Sequence, residues 1–117
     1  MSTMSIANIR MNEVLDYVRG VVTLFGNNID ASSVIADTGT NYRTVYRFMN
    51  GESDSPELML YYIRLAYMFL ENYDDSFVES CIGARYDEES PAEYEERVRD
   101  FREVYSVQHL EELLFTL

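Results

Sequence analysis

The segment TGTNYRTVYRFMNG, residues 38–51, contains two arginines and no acidic residue, although the whole chain has 21 acidic and 9 basic residues. Arginine can bind guanine through two hydrogen bonds, and asparagine can bind adenine in the same way. The amino end of a helix also favours a phosphate, because its first backbone N–H groups have no partner within the helix. The segment therefore combines side chains and a helix start that suit contact with a DNA groove.

A helix over about residues 41–50 would place these groups on one exposed face. With Val45 at the centre of the inner face and about 100° of rotation per residue, Phe48 falls on the same side. Arg43 and Arg47 fall on the opposite side, one turn apart. The candidate DNA-binding residues on this face, its flanks and the helix start are Asn41, Tyr42, Arg43, Thr44, Tyr46, Arg47 and Asn50.

The residues that precede this helix predict two further helices and a tight turn. Apolar residues recur at helical spacing from Ile6 to Phe25, and a short second helix follows, which runs to about Thr38. The boundaries are marked by residues that cap a helix or favour a turn. These are Asp30 or Ser32 before the second helix, Gly39 in the turn, and Thr40 or Asn41 before the third.

The residues after 51 contain further helix signals. Ser55 followed by Pro56 predicts the start of a fourth helix, which runs to about Asn72. The signals for the later helices are Asp74 or Asp75 as a cap, Gly83 as a stop, Ser90, Pro91 and Glu93 as a capped start, and Ser106 as a break. No alternating run indicates a strand. The predicted fold class is therefore all-α, a compact helical bundle of about six or seven helices.

Residues 34–51, VIADTGTNYRTVYRFMNG, resemble the helix-turn-helix of lambda-repressor-like, Cro-type and lactose-repressor-like DNA-binding proteins. The turn glycine is Gly39, and the apolar residues expected to lock the two helices together are Val34, Val45 and Phe48. Downstream, SPELMLYYIRLAYMF resembles the proline-started helix that follows in repressor-type domains. The resemblance implies a five-helix DNA-binding fold in the N-terminal half, in which Asn41, Tyr42, Arg43, Tyr46 and Arg47 contact bases or phosphates.

One position departs from the family pattern. Where the family usually has a small alanine in the second helix, this chain has Ile35, with Ala36 beside it. The departure predicts either a shift of one residue in register or a remodelled pair of helices.

The negative charge is concentrated in the second half of the chain. Residues 1–55 hold four arginines and six acidic residues, a net charge of −2, whereas residues 56–117 hold five arginines and fifteen acidic residues, a net charge of −10. Affinity for DNA depends on basic groups that neutralise phosphates. Arg43 and Arg47, with Arg10 or Arg19, are expected to form a local positive patch, while the acidic half faces away.

These features favour a small sequence-specific DNA-binding transcriptional regulator, such as a repressor, that binds double-stranded DNA as a homodimer. The alternative is an acidic interaction or inhibitor protein, of the kind that phages or other mobile elements encode. Such a protein would use the helix-turn-helix fold to bind a basic protein partner through its acidic second half. The densest acidic run is YDEESPAEYEE, residues 86–96, and its simpler interpretation is a solvated loop and helix start.

Neither an enzyme nor a cofactor is expected. The chain has no phosphate-binding glycine loop and no nucleophile motif. His109 is the only histidine and has no second imidazole or thiolate partner in the sequence, so no metal site is predicted. Cys81 is the only cysteine; its apolar neighbours predict a buried side chain, and its lack of a partner fits a reducing compartment.

The length of 117 residues predicts a single domain, 1–117, with a helix-turn-helix core at 6–73 and an acidic helical extension at 74–117. The extension carries an apolar stripe that either closes the core of the monomer or packs against a second copy, which makes it a candidate dimerisation element. Its members are Tyr94, Val98, Phe101 and Tyr105, continued by Leu110, Leu113, Leu114 and Leu117. The apolar run VVTLF is too short to span a membrane, and a cytoplasmic location is expected.

Overall fold

The computed structural model describes the backbone of residues 6–26, 31–53 and 55–115, and the side chains from residue 11 onward. Within these residues the chain forms seven helices and no strand, which confirms the prediction of an all-α, compact helical bundle. The helices are α1 (Ile6–Phe25), α2 (Ala31–Thr38), α3 (Tyr42–Met49), α4 (Pro56–Asn72), α5 (Asp75–Ile82), α6 (Pro91–Val104) and α7 (Val107–Phe115).

The core lies along α1, which packs on α4 and α7. The inward positions of α1 recur every three or four residues, so its described side chains form a continuous apolar face from Val14 to Val22. All the described residues that are fully buried in the core are apolar or aromatic. They are Val14, Leu15, Val18, Val21 and Val22 of α1, Val34 of α2, Val45 and Phe48 of α3, Leu58, Tyr62, Ala66 and Leu70 of α4, and Leu110 of α7.

Most of the predicted helix boundaries are confirmed by the capping hydrogen bonds. The carboxylate of Asp74 accepts from the backbone N–H of Phe77 at 2.9 Å, and Gly83 ends α5 with a positive φ of 81°. Ser90 and Glu93 form the two reciprocal bonds of a capping box at the start of α6. The Ser106 hydroxyl accepts from the N–H of His109 at 3.0 Å, so this residue separates α6 from α7 as predicted.

Three expected caps differ in detail. Ser55 precedes α4, but its hydroxyl donates to the Glu57 carboxylate at 3.0 Å and makes no capping bond to the backbone. Ser32 lies inside α2, and Asp30 lies outside the described residues. The Thr40 hydroxyl shares a hydrogen bond of 2.8 Å with the Thr38 hydroxyl, and Asn41 is the residue that caps α3.

The predicted burial of Cys81 is wrong, because this side chain is exposed. Val78 is the only fully buried residue of the eight-residue α5, and α6 is the one helix that packs extensively against it. Cys81 lies in the last turn of α5. None of the described helices has the length and hydropathy needed to cross a bilayer.

The acidic helix α6 has no fully buried residue and is attached to the rest of the protein at its carboxyl end. The Tyr17 hydroxyl donates to the Val104 carbonyl at 2.6 Å, and the Tyr73 hydroxyl donates to the Tyr105 carbonyl at 2.5 Å. These two phenols satisfy carbonyl groups that a helix end leaves without a partner. The sequence separation of 87 residues between Tyr17 and Val104 shows that the attachment joins opposite ends of the chain.

The apolar stripe of the extension packs within the monomer over much of its length. Phe101 lies 6.0 Å from the ring of Tyr73, and Tyr105 lies 5.8 Å from the ring of Phe25, measured between centroids. Leu110 is fully buried, while Leu113 and Leu114 are partly buried against the core. Leu117 lies outside the described residues. The contacts of Phe101, Tyr105, Leu110, Leu113 and Leu114 support the interpretation that the stripe closes the core of the monomer.

The half-buried phenol of Tyr17 predicts a loss of stability at high pH. Burial raises the pKa of Tyr17 to about 12 from its ordinary value of 10.0. The folded chain therefore holds this proton more tightly than the unfolded chain, and the resulting stability is present below pH 10 and lost as the pH rises towards 12. We expect Tyr17→Phe to cost about 1 kcal/mol at pH 7, because the Val104 carbonyl loses its donor, and we expect this cost to shrink as the pH approaches 12.

Urea unfolding of the parent and the variant across this pH range measures the effect. Tyr86→Phe is the control, because the Tyr86 side chain is 64% exposed and its change should stay within about 0.5 kcal/mol throughout. A cost of Tyr17→Phe that does not change between pH 7 and pH 12 would contradict the role given to the half-buried phenol.

Candidate nucleic-acid interface

The helix pair that carries the candidate residues is joined by a turn of three residues. Gly39 has a φ of 72°, a backbone conformation that residues with a Cβ adopt only with strain. Its N–H donates to the Ile35 carbonyl at 2.8 Å, which closes the end of α2. The Thr38 hydroxyl also donates to the Val34 carbonyl, at 2.7 Å. The chain therefore reverses tightly, and α2 and α3 pack against each other.

The start of α3 is fixed by Asn41, as predicted. Its side-chain Oδ1 accepts one hydrogen bond from the backbone N–H of Thr44 and a second from the Thr44 hydroxyl, both at 3.0 Å. The first of these satisfies one of the N–H groups that a helix start leaves without a partner. The second turns the Thr44 hydroxyl towards the cap and away from the outer surface.

The carboxyl end of α3 is closed by a Schellman motif and by an arginine from α1. Gly51 has a φ of 77°, its N–H donates to the Phe48 carbonyl at 3.1 Å, and the N–H of Glu52 donates to the Arg47 carbonyl at 2.7 Å. Arg19 donates from Nε to the Phe48 carbonyl at 2.6 Å. Its guanidinium carbon also lies 4.5 Å from the centroid of the Phe48 ring. Both ends of α3 are therefore held in place.

The two faces of α3 differ as the helical periodicity predicts. Val45 and Phe48 are buried, and the Phe48 ring stacks on Tyr62 with centroids 5.2 Å apart. Together with Val34, they form the apolar contact that was expected to lock α2 to α3. Six of the seven candidate residues are exposed, whereas Thr44 is half-buried. We call the exposed six the α3 surface: Asn41, Tyr42, Arg43, Tyr46, Arg47 and Asn50.

Two tyrosines form an aromatic edge on the α3 surface. The rings of Tyr42 and Tyr46 stack with centroids 6.5 Å apart, although their side chains are 52% and 61% exposed. The Tyr42 hydroxyl shares a hydrogen bond of 2.6 Å with the Ser32 hydroxyl of α2. This bond orients the ring before any ligand arrives. Sequence reasoning assigned Ser32 only to capping, because no local pattern links residues ten positions apart in two helices.

Arg43 and Arg47 are exposed, and neither has an ion-pair or hydrogen-bond partner for its guanidinium among the described residues. Other arginines of the chain are engaged: Arg97 pairs with Glu89 at 2.6 Å, and Arg102 pairs with Asp75. The two positive charges on α3 are therefore available to an external partner.

The expectation that Arg19 contributes to a positive patch is wrong. Its side chain is only 11% exposed, because the guanidinium turns inward to the Phe48 carbonyl and reaches the Ser53 carbonyl at 3.4 Å. The side chain of Arg10 lies outside the described residues. Within those residues, the positive groups of the α3 surface are Arg43 and Arg47.

The unusual residue of α2 takes an inward position. Ile35 is half-buried and packs against the core, whereas Ala36 beside it is exposed. The larger side chain is accommodated at the edge of the core, next to the fully buried Val34.

The chain matches no protein-family model and has no significant match among curated proteins or solved structures. The resemblance of residues 34–51 to repressor-type proteins therefore stays a prediction.

The contacts of Arg19 predict that it stabilises the end of α3. Arg19→Met removes a charged donor from the Phe48 carbonyl, and a hydrogen bond to a charged group contributes about 1.5–3 kcal/mol. We expect the free energy of unfolding to fall by about 2 kcal/mol. Arg19→Lys should recover only part of the loss. Lysine lacks the planar guanidinium, which both donates to the Phe48 carbonyl and lies over the Phe48 ring.

Chemical unfolding of both variants measures this loss. Arg64→Met is a matched control, since Arg64 is exposed on α4 and a surface substitution should change stability by less than about 0.5 kcal/mol. Equal stability of Arg19→Met and Arg64→Met would contradict the anchoring role.

Proposed function

We propose that this chain is a small sequence-specific DNA-binding regulator that places α3 in the major groove of double-stranded DNA. The observation that carries the proposal is the presence of two guanidinium groups, one turn apart, on the exposed face of a helix whose other face is buried. Neither group has a partner among the described residues. An arginine with no internal partner keeps its five donors for an external ligand.

The size of α3 suits such a contact. Eight residues span about 12 Å at a rise of 1.5 Å per residue, and the major groove is about 12 Å wide. The helix start of α3 lies beside Arg43, and its free N–H groups can donate hydrogen bonds to a phosphate. These dimensions allow α3 to lie in the groove with Arg43 and Arg47 towards the base edges.

The small number of basic groups on each α3 surface favours binding as a homodimer. Two arginines per copy neutralise few phosphates, and the net charge of −12 repels a duplex outside the contact itself. A second copy doubles the number of favourable contacts without changing the surface. In a twofold dimer, the two α3 helices would contact half-sites about 34 Å apart, one turn of DNA.

A selection from duplexes with a random central segment, at low salt, tests the proposal. We expect the parent protein to enrich a short motif that occurs twice, about one helical turn apart. Arg43→Ala combined with Arg47→Ala should lower affinity for the enriched duplex at least 30-fold, because about 1–3 kcal/mol is lost with each bidentate contact.

Arg64→Ala combined with Arg99→Ala is the control. Both residues are exposed on other helices, α4 and α6, and this variant loses the same amount of positive charge. It should bind as the parent does. If the two double variants bind equally well, the assignment of α3 as the DNA-binding helix is wrong.

A second candidate function is an acidic interaction protein, and one feature of α6 favours it. This helix has no fully buried residue, and Glu95, Glu96, Asp100 and Glu103 are all exposed along it. Such a surface could bind a basic protein in place of a nucleic acid.

Capture of proteins from a lysate on the immobilised chain, in parallel with the DNA selection, separates the two functions. The second function predicts that no duplex is enriched and that a basic protein is retained at low salt. It also predicts that replacing Glu95, Glu96, Asp100 and Glu103 with glutamine releases this protein, while Arg43→Ala combined with Arg47→Ala does not. Enrichment of DNA without such a protein would contradict it.

A further inference from the structure

Several polar groups of the α3 surface already make hydrogen bonds within the protein. The Oδ1 atom of Asn41 accepts two hydrogen bonds from Thr44, and the Tyr42 hydroxyl is bonded to Ser32. Recognition of adenine by asparagine requires both the carbonyl oxygen and the amide nitrogen of its side chain. Asn41 has committed the oxygen to the helix cap, so only its amide nitrogen can donate outward. This suits contact with a phosphate, which carries no sequence information.

The two arginines lie on the part of the α3 surface directly opposite the buried Val45, which we call the crest. At about 100° per residue, each lies within roughly 20° of the line directly opposite Val45, which is buried in the core. Tyr46 and Thr44 lie on the flanks of the helix, and Tyr42 is its first residue. A helix in the major groove presents its crest to the base edges and its flanks to the two phosphate backbones. Arg43 and Arg47 are therefore placed for base contacts.

The spacing of the two arginines sets the spacing of the bases that they can reach. Arg43 and Arg47 are four positions apart in the sequence, which corresponds to about 6 Å along the helix axis. Successive base pairs are about 3.4 Å apart, so 6 Å is close to two base steps. The fork of donors on a guanidinium matches the O6 and N7 acceptors of guanine, and no other base offers this pair of acceptors in the major groove.

We infer, on the basis of the proposed DNA-binding function, that each half-site contains two G·C base pairs about two steps apart, recognised by Arg43 and Arg47. Asn41 contributes to affinity through the helix cap and the phosphate backbone and has no base preference. The ligand class of the α3 surface is thus a duplex with a defined pair of guanines.

Selection from the random duplex library with three variants tests this inference. Glutamine favours adenine in place of guanine, so Arg47→Gln should change the preferred base from G to A at one position of the motif and leave the other unchanged. Arg43→Gln should change the other position. Asn41→Ser, which retains a capping side chain, should bind more weakly than the parent but select the same motif, because Asn41 contacts no base.

Direct titration of single duplexes gives the size of the effect. Replacing one G·C pair of the parent motif with A·T should weaken binding of the parent about 5-fold to 150-fold. Arg47→Gln should bind that altered duplex at least as well as the original, because its glutamine now has the matching base.

Two results have different consequences. A motif without two G·C pairs, or an Arg47→Gln variant that selects the motif of the parent, overturns the guanine assignment and leaves DNA binding intact. If the parent enriches no sequence at all, the proposed function fails and this inference fails with it.

Discussion

The position of the Phe48 side chain is the constraint on which the α3 surface depends. The ring is fully buried, stacks on Tyr62 with centroids 5.2 Å apart, and lies 4.5 Å from the guanidinium carbon of Arg19. The backbone carbonyl of the same residue accepts from Arg19 and from the N–H of Gly51. Because α3 has only eight residues, one well-anchored residue determines its rotation. With Phe48 and Val45 inward, Arg43 and Arg47 must point outward.

Of the acidic second half, α5 and α6 make no extensive contact with α3, whereas α4 contacts it through the Tyr62 ring. α3 packs mainly on α2, whereas α5 and α6 pack mainly on each other, and α7 packs on α1 and α4. The phenols of Tyr17 and Tyr73 attach the carboxyl end of α6 to the core. α6, the helix with the largest number of acidic residues, therefore makes no extensive contact with the helix that carries Arg43 and Arg47, which allows a chain of net charge −12 to keep a local positive patch. Electrostatic repulsion between separated exposed charges also declines over about 10 Å at moderate salt.

The sequence was most informative where the chemistry is local. Asn41, Asp74 and the Ser90 capping box could be predicted because a capping side chain bonds to a backbone group only two or three residues away. The rotation of α3 followed from the spacing of Val45 and Phe48. Contacts between distant parts of the chain carry no such signal.

The errors share that physical cause. Arg19 bonds to a carbonyl 29 residues away and was mistaken for a surface charge. Cys81 was expected to be buried because its neighbours in sequence are apolar, but burial depends on contacts with other helices, and this side chain is exposed. The bond between Ser32 and Tyr42, which orients a ring on the α3 surface, could be found only once α2 and α3 were placed together. The DNA-binding function and the family resemblance remain predictions.

The most direct test of the central claim, that the α3 surface contacts duplex DNA, is a titration of the ¹⁵N-labelled chain with the enriched duplex, or with mixed short duplexes, followed by amide NMR at low salt. The account predicts that the largest shift changes fall on residues 41–51, with small changes along α6. Large changes along residues 91–104 with none on α3, or no changes at all at low salt, would contradict it.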